Sequence, residues 1–553
     1  MKYWIILIAY IGCITLSCHS QPEPKEYFVR PCEFVCDYPF NDTTKWVITC
    51  RVWGLLKYYH PNVTAGKLDW DEILLDRLEN IYSASTPEMV NTELKKMLDV
   101  AGEYSDKRDV DWNDSLNMNV NLCWLDNSFL NDTLQDELKK IASQWVKHPS
   151  YYSIGYDLNR PFTISNEKEY NPNVISSCPY RLLALFRYWN MIYYFSPHKY
   201  LMDKSWDKTL SEFIMPFIEA TDRQSYQIAF LKLAAALNDG HGYLTFDEGY
   251  PGESQNIIEI VDGKTIVRID RGGLNKGDIV NSIGERDINH IRDSLSVLIS
   301  ASTSGNKEYR INCFVAEMIF FHETDVAISR MDQKLTVYVF PYPFKKTDPL
   351  PHRWLTNDIG YVDLSLLTTE YIDLIFQSFS DAEGIVFDLR KFGPYQYNVL
   401  KLDSHLTDQK EIRLFSLILP DVEHPGAYAW AKNIQQYTIP DSIECPQFKG
   451  KIIFLIDERT QSSLESRAWG ARANYHAILI GRPTSGALEH VIRFPLLENH
   501  TAIFSGIGAF SSDGTELQRK GIIPDIEVYP TMESIKAGKD EILEAAIEYL
   551  NKN

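Results

Sequence analysis

Ser462 is the residue whose setting most suggests chemistry. An apolar run, Lys451-Ile452-Ile453-Phe454-Leu455-Ile456, ends in a short polar turn, Asp457-Glu458-Arg459-Thr460-Gln461, and Ser462-Ser463-Leu464-Glu465 then opens a helical stretch. A serine hydroxyl at a helix start lies beside unpaired N–H groups and the positive end of the helix dipole, which can hold an oxyanion and so suit acyl transfer. The same placement also suits a plain helix cap, the commonest use of serine there. His241 stands in a second such place: Asn238-Asp239-Gly240-His241-Gly242 closes an amphipathic stretch, Tyr226 to Leu237, and the Asp-Gly pair delivers the imidazole to a loop. The chain has no Gly-rich phosphate loop, His-x-x-x-His pair or carboxylate cluster of metal spacing, so no metal and no cofactor is expected.

Several kinds of element must position these residues. The run Trp53-Gly54-Leu55-Leu56-Lys57-Tyr58-Tyr59-His60-Pro61, with Trp70-Asp71 following, is echoed by Trp189-Asn190-Met191-Ile192-Tyr193-Tyr194-Phe195-Ser196-Pro197 and Trp206-Asp207. The Trp–Pro–Trp-Asp spacing is identical in the two, which reads as a duplicated helix-turn-helix unit whose aromatics pack a core. From about 255 to 300 short alternating strands and glycines take over, including Gly272-Gly273-Leu274-Asn275-Lys276-Gly277-Asp278-Ile279-Val280. Beyond about 355, apolar strands alternate with helices, as expected of a sheet buried on both faces.

A chain of 553 residues exceeds one ordinary core, so several domains are expected. The net charge of -20 argues against binding a nucleic-acid backbone. The first residues have a basic start, an apolar run from Trp4 to Leu16, and Ser17-Cys18, a secretory signal in form. Thr15-Leu16-Ser17-Cys18 is similar to a bacterial lipobox, in which Cys18 would carry the lipid; an ordinary cleaved signal is the alternative. The expected location is therefore exported, periplasmic or cell-surface, with membrane contact only through that lipid. Residues 18–45, rich in proline, read as a tether. Setting aside Cys13 and Cys18, the remaining cysteines are odd in number and have no CxxC pairing, so no zinc pattern is present; one disulfide among the N-terminal ones is compatible with export.

Four segments occur in a telling order: "NDGH" after the helical region, the Gly-Leu-x-x-Gly-Asp run, "TQSSLE" with "IGRPTSG" downstream, and "FSGIGAFSSDGTELQRKGIIPDIEV" before the last helices. Together, over roughly residues 178 to 553, they resemble the C-terminal-processing (tail-specific) serine peptidases. The resemblance implies a multidomain α+β fold: a signal over 1–17, the tether 18–45, an N-terminal helical domain over 46–170 that partly repeats the next, a helical domain over 178–250, a PDZ-like β domain over 251–310, and an α/β (ClpP/crotonase-like) core over 311–553. Ser462 would be the nucleophile, with Glu465 marking the family's S-x-x-E element. The lysine many members place after the T-x-G turn is absent, because Ala487 follows Thr484-Ser485-Gly486. The match is closer to the tricorn-core and retinoid-binding-protein branch, in which His241 would serve as general base.

The branch's supporting glutamate falls at Gln518, with Glu516 nearby; Asp239 is a local alternative that also suits the turn. The oxyanion donors implied are the N–H groups of Ser463 and Gly393, though Pro394 replaces a second glycine and donates nothing. Gly273, Leu274 and Gly277 would bind a peptide end by strand addition. The expected partners are peptides or proteins, engaged near their C-termini. The alternative is an inactive peptide- or ligand-binding protein on the same fold.

Overall fold

In the computed structural model the described residues are 39–104, 116–143, 151–154, 163–171, 173–245, 257–341, 349–391, 393, 397–421, 423–431, 435–443, 445–488, 490–511 and 514–552. The expected signal, Cys18 and tether residues up to 38 lie outside them, and residues 42–45 of the expected tether form the start of the first helix.

The duplicated unit is visible in its hydrogen bonds. Helix Asp42–Tyr59 starts at Asn41, whose side chain accepts the N–H groups of Thr43 and Thr44 at 2.9 and 2.8 Å. It stops at His60, and helix Cys178–Phe195 stops at Ser196, because each is followed by a proline that forces the preceding residue into extended backbone. In the first copy Trp53 and Trp70 each donate an indole N–H to the other's carbonyl, at 3.1 and 3.0 Å; Trp189 and Trp206 repeat the exchange at 3.0 Å in both directions. Each copy also clamps the other: Arg51 reaches Asp207 at 2.7 Å, while Arg187 reaches Asp71. The two segments, expected over 46–170 and 178–250, share one continuous apolar core, which also takes in Ile492, Phe494 and Phe504 from near the end of the chain. The aromatic stripe packs this core, as its helical spacing implied.

Next comes a small antiparallel unit with sheet order Gln333–Val339, Thr324–Arg330, Ile279–Ile283, Lys264–Val267, Ile258–Val261, packed by helices Ile288–Ser296 and Ser304–Phe320. Its core runs on to Val339, past the boundary expected at 310. The reason is pairing: Thr324–Arg330 joins Ile279–Ile283 through Val280↔Ile328 and its neighbours.

The α/β core is a sheet of six described strands, in the order His352–Trp354, Ile359–Asp363, Gly384–Asp388, Lys451–Ile456, Ile478–Gly481, Ile526–Glu527. All neighbours are parallel except the first pair. The middle strands are buried on both faces, which is why they read as unbroken apolar runs. Helices Tyr371–Ser378 and Ser463–Tyr475 cover one face, and Glu541–Lys552 the other. Asp388 and Arg390, at a strand end, form a strut: the guanidinium binds Asp388 and also Asp540, at 2.8 Å each, and holds the Asp388 carboxyl well below its usual range against the effect of burial. The result is the expected class, multidomain α+β with a helical N-terminal region, a small β unit and an α/β core.

Candidate active site

Strand Lys451–Ile456 delivers the chain to a tight turn in which Asp457 binds Arg459 and the N–H of Thr460 bonds the Asp457 carbonyl at 2.8 Å. Ser462 follows at φ 58° and ψ -120°, the left-handed side where a residue with a Cβ is strained, and helix Ser463–Tyr475 starts directly after it. The Ser462 N–H bonds the Ala487 carbonyl at 3.0 Å and the Glu465 carboxylate at 3.2 Å. Glu465, fully buried, also accepts Thr484 Oγ1 at 2.5 Å, Ser485 Oγ at 3.2 Å, Gly486 N at 2.8 Å and Ala487 N at 3.0 Å. Burial raises its pKa and these donors work against that. Glu465 is thus the hub that fastens the Thr484–Ala487 loop to the strained serine. Ser463, exposed at the first helical position, has an N–H with no intrahelical partner.

His241 reaches the same place from the helical region. A Cβ on Gly240 would lie 2.6 Å from Ala487 Cβ, so the histidine turn occupies the space into which a longer side chain at 487 would grow. Gln461 Nε2, one residue before the serine, donates to the Gly240 carbonyl at 2.9 Å, and Arg310 donates to that carbonyl too. Helix Ser304–Phe320 and the residues before it hold both turns: Ser302 Oγ accepts Gly240 N at 2.7 Å, Ser300 Oγ bonds Asp239 N and O at 3.0 and 2.9 Å, and Asn306 Nδ2 donates to Glu458 O at 3.0 Å.

The imidazole is buried, and its Nδ1 lies 3.2 Å from Ser505 Oγ. Ser505 ends strand Thr501–Ser505, which pairs antiparallel with Tyr243–Thr245 through Ile503↔Tyr243; continuing that register sets Ser505 opposite His241. Ser505 Oγ donates to Asp239 Oδ1 at 2.9 Å, and its N–H donates to Oδ2 at 2.7 Å. A hydroxyl has one proton, and the carboxylate takes it, so Ser505 Oγ must accept from His241 Nδ1–H. That fixes the tautomer: Nε2 is the bare nitrogen, with no hydrogen bond to a described residue. Burial pushes His241 down to about 4, Asp239 opposing it and Arg310 and His490 adding to it, so the ring is neutral at pH 7.

The other expected site residues fall as follows. Gln518 Nε2 donates to Asp239 Oδ1 at 3.3 Å. Glu516 lies outside this network, where its carboxylate accepts the Tyr200 hydroxyl and faces Lys520 Nζ at 3.7 Å. Gly393 packs on Ser365, where an added Cβ would come within 2.3 Å of the carbonyl oxygen. Gly273, Leu274 and Gly277 lie in the turn before strand Ile279–Ile283. Leu274 is buried in the β unit's core, Gly273 O accepts from Arg330 at 2.9 Å, and Gly277 N bonds Val267 O at 2.8 Å while its α-carbon abuts Lys536. Gly277 thus lies beside helix Met532–Ala537, which also packs on Val261 and Ile266 of the β unit. Ser505 was missed, and Asp239 was weighed mainly as a turn residue. The available signal was a serine closing the apolar run Ala502-Ile503-Phe504 just before Gly506.

A mostly parallel sheet whose strand-turn-helix corner carries a strained serine, met by a histidine turn from a neighbouring region, defines a serine-type peptidase of the C-terminal-processing kind. Residues 358–528 match the model of Peptidase family S41. No curated protein matches the chain. Among solved structures it is similar to mature CPAF complexed with lactacystin, at 15% identity over 68% of this chain and 99% of that one, with a TM-score of 0.51. It is also similar to mature CPAF at 14% identity, covering 68% and 96%, with a TM-score of 0.50, and these likenesses are of fold. The photosystem II D1 C-terminal processing protease is a more distant likeness, 14% identical over 65% and 98%, with a TM-score of 0.38.

Proposed function

We propose that the chain cleaves peptides or proteins through Ser462 as nucleophile and His241 as general base. The observation that carries this reading is the hydrogen-bond chain Asp239–Ser505–His241, which leaves Nε2 as the lone-pair nitrogen of a neutral ring beside the turn that bears Ser462. Ser462 Oγ attacks the peptide carbonyl and Nε2 takes its proton. The oxyanion forms next to the Ser463 N–H at the helix start, and Nε2 then protonates the leaving amine. Water resolves the acyl-enzyme by the same route. The imidazolium formed midway is stabilised by Asp239 through Ser505, a role that neutral Gln518 cannot fill. Gly393 is proposed as the second oxyanion donor.

Export with lipid attachment at Cys18, and a preference for substrate C-termini, are finer parts of the proposal. No helix among the described residues is long and apolar enough to cross a membrane, and attachment through Cys18 would not require one. The test uses protein beginning just after Cys18, incubated with peptides having free or amidated C-termini and read by mass spectrometry. Cleavage lost in both Ser462→Ala and His241→Ala supports the pair, and faster cleavage of free C-termini supports tail preference. Identical cuts by wild type and Ser462→Ala would remove Ser462 from the mechanism, and a wild type that binds peptides without cutting would favour a binding protein.

A further inference from the structure

In the α/β core, Asp373, His405 and Cys445 place one carboxylate oxygen, one ring nitrogen and one sulfur within 4.8 Å of one another. They come from helix Tyr371–Ser378, helix Val399–Leu406 and the segment leading to strand Lys451–Ile456. His405 is the informative member. Its side chain is 3% exposed, its ring stacks on Phe376 at 4.1 Å between centroids, and Nδ1 lies 2.8 Å from the Pro446 carbonyl oxygen. A carbonyl can only accept, so Nδ1 carries the proton, and in a neutral ring Nε2 is left with a lone pair. That lone pair faces Asp373 Oδ1, another acceptor, at 3.4 Å. Two acceptors held this close need a cation between them, either a second proton on the ring or a metal ion.

We propose that this cluster is a binding site for a zinc-type divalent transition ion, ligated by His405 Nε2, Asp373 Oδ1 and Cys445 Sγ as thiolate. The spacing suits it: two ligands at about 2.0–2.1 Å from a tetrahedral ion stand about 3.3–3.4 Å apart. Nitrogen, sulfur and carboxylate together favour zinc over magnesium or calcium, and the donation from Nδ1 to a backbone carbonyl is the usual way a ligating histidine is oriented. Lys401 Nζ, 2.5 Å from the second oxygen of Asp373, orients that carboxylate without occupying Oδ1. The fourth position is left for water. Binding releases the thiol proton and ties the segment before the Lys451–Ile456 strand to two helices, so its effect is on stability and not on the chemistry at Ser462. The three residues are far apart in sequence, Asp373 and His405 alone by 32 positions, which is why spacing motifs did not reveal them.

The test is titration of the metal-stripped full chain with cobalt(II) chloride, followed by displacement with zinc sulfate. One equivalent of cobalt should give thiolate-to-cobalt charge-transfer absorption with intense tetrahedral d–d bands, zinc should bleach both, and zinc should raise the thermal midpoint. Cys445→Ser should lose the charge-transfer band, and His405→Gln should weaken binding at least tenfold. Circular dichroism would show that both variants remain folded, and peptide cleavage should be unchanged in Cys445→Ser. No cobalt spectrum in wild type, or the same spectrum in Cys445→Ser, would overturn the site and assign the cation between His405 and Asp373 to a proton.

Discussion

At the scale of single residues, Ser462 holds a φ that glycine would adopt freely, because its N–H is pinned by both Ala487 O and Glu465. Strain of this kind costs on the order of 1–3 kcal/mol and is retained where it aims a side chain. Ser462→Gly should therefore be inactive yet more stable than wild type by about 1–2 kcal/mol, whereas Ser462→Ala, which keeps the Cβ, should be inactive with little stability gained; urea unfolding of the pair measures this. Ser505 yields a second prediction. Without its hydroxyl, His241 Nδ1 loses its acceptor and the link to Asp239, so Ser505→Ala should lower kcat by about 10²–10³-fold with little change in KM. Gln518→Ala, which removes only a 3.3 Å bond to Asp239, should cost less than Ser505→Ala in the same assay. An equal loss in both would make Ser505 part of a general scaffold, not the link that sets the tautomer.

At the scale of elements, two turns face each other across the Gly240 and Ala487 β positions. Gly240 has an ordinary φ, so an alanine there is opposed by the neighbour and not by the backbone. Gly240→Ala should lose most activity and about 1–3 kcal/mol of stability through overpacking, and Gly240→Ala with Ala487→Gly should recover much of both. Failure of the double variant to recover would mean that the Ser302 contact, not Ala487, fixes the turn. This pairing also shows what could be read beforehand. The helical repeat, the strand-turn-helix around Ser462 and the loop placement of His241 all follow from local periodicity and turn residues. The roles of Ser505 and Ala487 depend on the antiparallel register that sets residue 505 opposite 241, and on two loops meeting from positions more than two hundred residues apart, which no local pattern encodes. The turn in the Gly-Leu-x-x-Gly-Asp run follows from its glycines, but its proximity to Lys536 of helix Met532–Ala537 joins positions more than two hundred residues apart.

At the scale of the whole molecule, the helical region, the β unit and the α/β core all meet around Asp239, and two buried histidines sit in its field. His198 and His241 are each pushed down to about 4, chiefly by burial, and Asp239 opposes the shift in both. Arg310 and His490 add to the downward shift of His241. In the unfolded chain both rings titrate near 6.5. A histidine whose folded pKa lies below its unfolded value binds its proton preferentially in the unfolded state, so its contribution to stability is complete above 6.5, falls as pH drops, and stops changing below about 4. The two histidines should therefore contribute uptake of up to two protons on unfolding between pH 6.5 and 4, offset in part by Glu458, which burial raises to about 8 and which keeps its proton in the folded chain over much of that range. His198→Asn should reduce that uptake, read from urea midpoints, by about one proton while leaving the base in place. Cleavage should persist to lower pH than an ordinary imidazole base would allow, since Nε2 of His241 stays unprotonated until the pH nears 4. A cleavage profile that instead fell off near 6.5, with urea midpoints flat across the same range, would show that His241 is open to solvent in the working protein and that the three regions do not close around Asp239.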